Sequence, residues 1–277
     1  MENKDIILLQ HSPLNIKYTN AFYINQTDEK DLSDYIVIDV TSRVERDKEF
    51  MKLHPTFAED LSPFFIGPVT STDGVTANIF EIFWQCGKVY PCHDDNGKPN
   101  SEFFKWRKEF YAQEKCSKTL MRHACESLGY KHSDTLYFAY YNKDTDVWEP
   151  LDYVTARKKV YFPEYIKLIY NSKSFKWLKS LVDSGKKIAL VDFDAFNIYS
   201  DAAKTRRYNA YLNKCKENHI TPTLTLDNFL NIKTIKDLVS CSFLPVGHGV
   251  AIKALLEGDL EVVDGEVIDH IGLLELI

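Results

Sequence analysis

The stretch DGVTANIFEIFWQCGKVYP, Asp73 to Pro91, decides how the chain is read. Its centre predicts a helix that stops before Pro91, because the residue preceding a proline is pushed out of helical backbone. Ile79, Phe80, Ile82, Phe83, Trp84, Cys86, Val89 and Tyr90 make almost every side of it apolar. Three polar residues interrupt this pattern. Glu81, Gln85 and Lys88 stand at i, i+4 and i+7, so on one helix they share a face. A buried charge without a partner costs several kcal/mol or more, so such a line is either paired or open to a cavity. One reading is a Glu–Lys network that locks the helix to its neighbours. The other is the wall of a polar pocket. In that pocket a lysine among apolar and aromatic groups has its pKa pushed down and can attack a sugar aldehyde or anomeric carbon as an amine. A glutamate beside it can move protons. Trp84 flanks the stripe, either as core or as a wall of that pocket.

Outward from this stretch, 277 residues give room for one large domain or two small ones, and 44% hydrophobic residues supply a core. A net charge of -6 argues against a protein that coats nucleic acid by bulk charge, while leaving room for a local basic groove. The six cysteines form no CxxC pair and no zinc spacing, and the eight histidines show no metal spacing. Reduced thiols, no metal and no cofactor are expected. The N-terminus does not read as a signal peptide, and no apolar run approaches the roughly 20 residues needed to span a bilayer. A cytoplasmic location without membrane contact is the expectation. There is no P-loop, GxSxG or HExxH pattern.

Residues 1–60 read as strand-rich, with IILLQ and DYIVIDVTS as short β-branched runs and AFYIN a weaker one. HPTFAEDLSPFFIGPVTSTDG reads as a loop. Asn100 or Ser101 caps a helix over SEFFKWRKEFYAQEK, and SKTLMRHACESLGY predicts a helix stopping at Gly129. DTLYFAYYN alternates like a strand. The long helical run from Asp152 to Gly185 should break or kink at Pro163 and divide at NSKS. KIALVDFDAF predicts a buried strand running into Asp192 and Asp194, and strand ends commonly carry function. Asp194 also suits a helix cap. A charged helix follows over AAKTRRYNAYLNKCKENH. Thr225 or Asp227 opens a short helix and TIKDLV another. LPVGHGVAIKALLEG opens a helix ending at Gly258, and the tail can form a hairpin. His248, between two glycines, either approaches a phosphate at a helix N-terminus or marks close packing. The basic clusters KWRK, ARKK and KTRR read as solvated helix faces, although nearby tyrosines would suit nucleic acid. The economical fold is one α+β domain over 1–277, predominantly helical.

The pattern D-G-x6-E-x3-Q-x2-K, filled by Asp73, Gly74, Glu81, Gln85 and Lys88, resembles the NADAR (NAD and ADP-ribose) family. LSPFFIGPVTSTDG looks like that family's opening loop, with Ser62 and Phe64 in corresponding places. NSKSFKWLKSLVDSGKKIALVDFDAF resembles its helix–turn–strand segment, with Asp192 replacing a Glu and Asp194 matching the following Asp. LPVGHGVAIKALLEG is similar to its closing helix, with Gly247 as the glycine. Trp148 is not in register with the family's usual Trp, Ala254 stands where an Arg is usual, and FNIY replaces a WG. Residues 91–150 and 195–243 are longer than in compact members. The chain thus resembles a divergent, enlarged NADAR-like domain with insertions.

NADAR domains act on N-glycosidic bonds. One branch removes ADP-ribose from guanine in nucleic acid, and another hydrolyses base–sugar-phosphate bonds of early riboflavin-pathway intermediates. The resemblance implies an N-glycosidase whose partner is an ADP-ribose-containing substrate, as ADP-ribosylated nucleic acid or as a small nucleotide-like molecule. It makes Lys88 the nucleophile at ribose C1, forming a Schiff base, and Glu81 the general acid/base. Asp194 or Asp192 would orient ribose hydroxyls or assist proton transfer. Gln85 would bond sugar or phosphate, while Trp84, Phe64 and Phe65 would stack on a base or wall the pocket. Gly74, Arg157 and His248 complete the expected substrate-binding set, Arg157 because it begins the helix matching the family's middle segment. A binding module for ADP-ribose or NAD-derived metabolites is a third reading. Glu81 and Lys88 favour an enzyme over it, since recognising a neutral ribose needs no buried amine.

Overall fold

The structure is a computed structural model that describes residues 5–10, 33–40, 59–115, 124–192, 201–217, 219–233, 237 and 247–276. It is a mixed α+β protein in which helix exceeds strand among the described residues. In chain order the strands are β1 (Ile6–Gln10), β2 (Tyr35–Asp39), β3 (Val69–Thr70), β4 (Thr76–Ala77), β5 (Lys88–Val89), β6 (Tyr137–Asn142), β7 (Val147–Leu151), β8 (Lys187–Asp192), β9 (Leu260–Val263) and β10 (Glu266–Asp269). The helices are α1 (Phe80–Cys86), α2 (Ser101–Tyr111), α3 (Tyr153–Ala156), α4 (Phe162–Tyr170), α5 (Lys173–Asp183), α6 (Asp201–Glu217), α7 (Leu226–Leu230) and α8 (His248–Glu257). Whereas the sequence was read as one domain over 1–277, the described chain divides into two compact units. One holds β1, β2 and the residues from Phe175 onward, and the other runs from Glu59 to Ser174. Of the segments expected as insertions, 91–150 falls in the second unit and 195–243 in the first.

The first unit is built on a parallel sheet of order β1-β8-β2. Its central strand is an unbroken apolar run, IALV, fully buried, as a strand covered on both faces must be. Helix α8 packs against β1 and β8 and is buried from His248 to Leu256. Its one ammonium, Lys253, is buried and pairs with Glu257. Gly258, at φ 86°, ends α8 in the left-handed region where a side chain would be strained. The expected tail hairpin is present as β9–β10, turned by Asp264 and Gly265. Helices α6 and α7 share a core of Tyr211, Cys215, Phe229 and Ile232, and Thr225 caps α7 through Asn228 N. AFYIN, TIKDLV (apart from Asp237) and Asp194 lie outside the described residues.

The second unit holds the antiparallel sheet β5-β6-β7 and the hairpin β3–β4. β7 carries Pro150, which an edge strand tolerates because it has a free side. Asn100 caps α2 by accepting from Glu102 N and Phe103 N, both at 3.1 Å. The helix expected over 117–130 is described only as a 3-10 turn, Ala124–Leu128, closed by Gly129 at φ 78°. Pro163 does not break the long helical run. A π-helical turn, Arg157–Tyr161, leads into α4, and Pro163 sits in its first turn, where the missing N–H is not needed. The division at NSKS is where it was expected, between α4 and α5.

Helix α1 corrects the opening expectation. It ends at Cys86, Gly87 is its C-cap, and Lys88 lies on β5 opposite Phe138. Its N-terminus has no side-chain cap. Instead the loop before it supplies carbonyls: Phe80 N donates to Ile66 O at 2.8 Å and Glu81 N to Pro63 O at 2.9 Å. Gly67 makes this approach possible, since a Cβ there would lie 2.1 Å from Asn78 O.

Candidate active site

Although Lys88 is off the helix, the polar line is intact. Gln85 Nε2 donates to Glu81 Oε1 at 2.7 Å, and Lys88 Nζ donates to Gln85 Oε1 at 2.7 Å. The amide therefore bridges a buried carboxylate and a half-buried amine. A carboxylate only accepts and an ammonium only donates, so the pair fixes which way the amide faces. Burial pushes the Lys88 pKa down. Arg157 adds to this as a like charge, while Glu81 opposes it. The result is an amine that gives up its proton more readily than a surface lysine does.

Aromatic rings pack around Trp84, which stands beside this line. Phe138 stacks on Trp84 with centroids 4.9 Å apart and planes at 25°, while Tyr161 and Tyr153 meet its ring edge-on at 5.0 and 5.9 Å. Gly87 makes room for that stack, because a Cβ there would lie 2.3 Å from the Phe138 ring. Lys88 Nζ lies 5.6 Å from the Trp84 centroid. Trp84 is 4% exposed, so it is packed as core and is not an open platform. Arg157 opens the π-helical turn, a backbone irregularity frequent at functional sites. Its buried guanidinium lies 4.3 Å from the Tyr161 centroid and 4.8 Å from that of Phe162. The structure thus brings Glu81, Trp84, Gln85, Lys88 and Arg157 into one cluster of the second unit.

Other expected residues shape the surroundings. Phe64 is buried in the loop that caps α1, whereas Phe65 is exposed. Gly74 is exposed at the tip of the β3–β4 hairpin, at φ 85°, and its N–H donates to Ser71 O at 2.9 Å. That conformation suits glycine for the turn itself. The adjacent Asp73 pairs with Arg107 of α2 and accepts from Ser71 Oγ. Arg107, read in KWRK as part of a solvated face, is 3% exposed.

Asp192 and His248 belong to the first unit and meet there. Asp192 Oδ2 accepts from Gly249 N at 3.0 Å and lies 3.6 Å from His248 Nδ1. The other imidazole nitrogen of His248 bonds Val40 O. A Cβ on Gly249 would sit 2.9 Å from that same carboxylate oxygen, so the glycine serves close packing. The Gly249 N–H at the start of α8 is taken by the chain's own carboxylate.

Two features escape sequence reading. Tyr153, at the mouth of the aromatic cluster, follows no motif. His93 is buried beside Trp106 and Phe103, and its Nδ1 has no hydrogen-bond partner. Burial pushes the His93 pKa below the ordinary imidazole range, against a smaller opposing effect of Glu102. Below pH about 6.5 the unfolded chain takes up a proton that folded His93 resists, so its contribution to stability falls as pH falls. Urea unfolding at pH 7.5 and 5.5 should show a smaller acid loss for His93→Phe than for the parent. Equal losses would refute this assignment.

No family model, curated protein or solved structure matches the chain. The NADAR resemblance accordingly stands on the quoted residues alone.

Proposed function

We propose that the chain is an N-glycosidase that cleaves a ribose–nitrogen bond, with ADP-ribose linked to guanine in nucleic acid as its substrate. The observation that carries this reading is the bridge Glu81–Gln85–Lys88, with the Lys88 pKa lowered by burial. Neutral Lys88 attacks the anomeric carbon. The bond from that carbon to the base breaks, its electron pair goes to the base nitrogen, and Glu81 supplies the proton. The attacking nitrogen passes a proton to the ribose ring oxygen as that oxygen departs, leaving a protonated Schiff base and a free hydroxyl. Glu81, now a carboxylate, takes a proton from the water that adds to this carbon, and the amine is expelled, releasing ADP-ribose and restoring both Lys88 and Glu81. Gln85 keeps amine and carboxyl in register, and Arg157 lends positive charge to an anionic substrate. The acidic net charge favours one extruded or single-stranded nucleotide over a long duplex footprint.

Incubation with ADP-ribosyl-guanine DNA and borohydride tests this. The expected result is guanine restored in the DNA and a reduced ADP-ribosyl adduct mapped by mass spectrometry to Lys88. Release with no adduct removes the Schiff base from the mechanism. Binding of ADP-ribose without release from any ribosyl–nitrogen substrate would instead make the chain a binding module.

A further inference from the structure

We propose that Tyr153 is the stacking platform for the leaving base, a purine or similar planar heterocycle bonded directly to the ribosyl carbon. This rests on the N-glycosidase reading above. Exposed tyrosines are common on protein surfaces, so exposure alone says little. What sets Tyr153 apart is what it adjoins. Of the rings that meet Trp84, Phe138 is 5% exposed and Tyr161 6%, whereas Tyr153 is 46% exposed. Among the described rings that meet Trp84 it is therefore the one exposed to solvent. Its position is held from below. Asp152 accepts from Thr155 N at 3.0 Å and Thr155 Oγ1 at 2.6 Å, which fixes the backbone at the start of α3. The Tyr153 ring leans edge-on against Trp84, and the buried Arg157 guanidinium lies 5.9 Å from its centroid.

The same indole relates Tyr153 to the reacting amine, since Lys88 Nζ is 5.6 Å from the Trp84 centroid and Tyr153 5.9 Å. Both groups therefore adjoin one indole, and the part of the substrate that meets Tyr153 is the part bonded closest to the carbon under attack. The leaving base is one bond from the carbon under attack. The adenine of ADP-ribose lies beyond two phosphates and a second ribose. The leaving base, adjacent to the carbon that Lys88 attacks, is therefore the ring we place on Tyr153, with the adenine further along the substrate.

Tyr153→Ala, Tyr153→Trp and the parent are compared on ADP-ribosyl-guanosine, with ADP-ribose as competing product. For Tyr153→Ala, KM is expected to rise at least about fivefold, the lower end for losing one base–aromatic stack, with the larger part of the loss in KM. Tyr153→Trp should recover it. Inhibition by ADP-ribose, which lacks the leaving base, should match the parent. An unchanged KM overturns the proposal. So does an equal loss of ADP-ribose affinity, which would put the adenine on Tyr153. If the parent turns over no ribosyl–nitrogen substrate, the enzyme reading falls, and calorimetric titration with guanosine decides Tyr153 separately. Guanosine binding to the parent and not to Tyr153→Ala upholds the platform. Equal binding, or none to either, overturns it.

Discussion

Lys88→Arg is expected to fold as the parent does and to lose turnover by on the order of 10^4-fold or more, the scale of removing a covalent nucleophile. Arginine keeps the positive charge and a donor for Gln85 Oε1, so it preserves the bridge as a tie between α1 and β5. It does not deprotonate near neutral pH, so it supplies no neutral amine. The substitution therefore separates the two readings of the polar line. A purely structural Lys88 predicts near-parental turnover in the variant, and more than about a tenth of parental activity would end the nucleophile assignment. The same chemistry sets a pH profile. Because burial holds the Lys88 pKa below the ordinary lysine range, Schiff-base trapping should rise with pH through that lowered value and then level off. Arg157→Gln removes a like charge, raises the Lys88 pKa and moves the rise to higher pH. Glu81→Gln removes the opposing carboxylate, lowers the Lys88 pKa and moves the rise to lower pH, whatever it does to the plateau. Shifts in the same direction would refute the electrostatic account.

The residues themselves show why some of this was legible and some was not. β8 reads as a strand because a strand buried on both faces needs an unbroken apolar run, and the edge strands β1 and β2 because their β-branched runs are short and conspicuous. The polar line was legible because Glu81 and Gln85 are one helical turn apart. Where α1 stops was not. Helical spacing also places Lys88 near Gln85 when the chain leaves the helix at Gly87, so periodicity alone cannot tell a longer helix from a turn into β5. Gly87 was the available signal, both as a helix end and as space for Phe138. Arg107 was misread because its partner, Asp73, is 34 residues away in sequence, and no local pattern encodes that meeting. Tyr153 is set by the packing of β6, α3 and the π-helical turn around Trp84, which composition and spacing do not carry.

Arg107→Ala is expected to destabilise the second unit by about 3–5 kcal/mol, the range for breaking a buried ion pair from one side. The guanidinium is buried and meets Asp73 across the gap between α2 and the β3–β4 hairpin. The rings of Tyr111, Trp148, Phe103 and Phe104 surround it, with centroids 5.1, 5.3, 5.6 and 5.8 Å from its central carbon. Alanine removes the packing against those rings and leaves the Asp73 carboxylate facing the vacated space, mostly shielded from water. Lysine restores the charge without the planar fork or the stacking, so Arg107→Lys should recover only part of the loss. Urea unfolding of the full chain measures this, and where the two units unfold in separate steps only one midpoint should move. A double-mutant cycle with Asp73→Asn should show a favourable coupling, because the second change removes the charge the first one strands. A loss below about 1 kcal/mol for Arg107→Ala would show the pair to be incidental. The pair also divides the motif Asp73-Gly74…Glu81…Gln85…Lys88 by task. Asp73 and Gly74 fold and anchor the hairpin that leads into α1, whereas Glu81, Gln85 and Lys88 form the polar line itself. Asp73→Asn should therefore lower stability while the folded fraction keeps the parental kcat, and Glu81→Gln should lower kcat at little change in stability. The reverse pattern would place the chemistry at the hairpin.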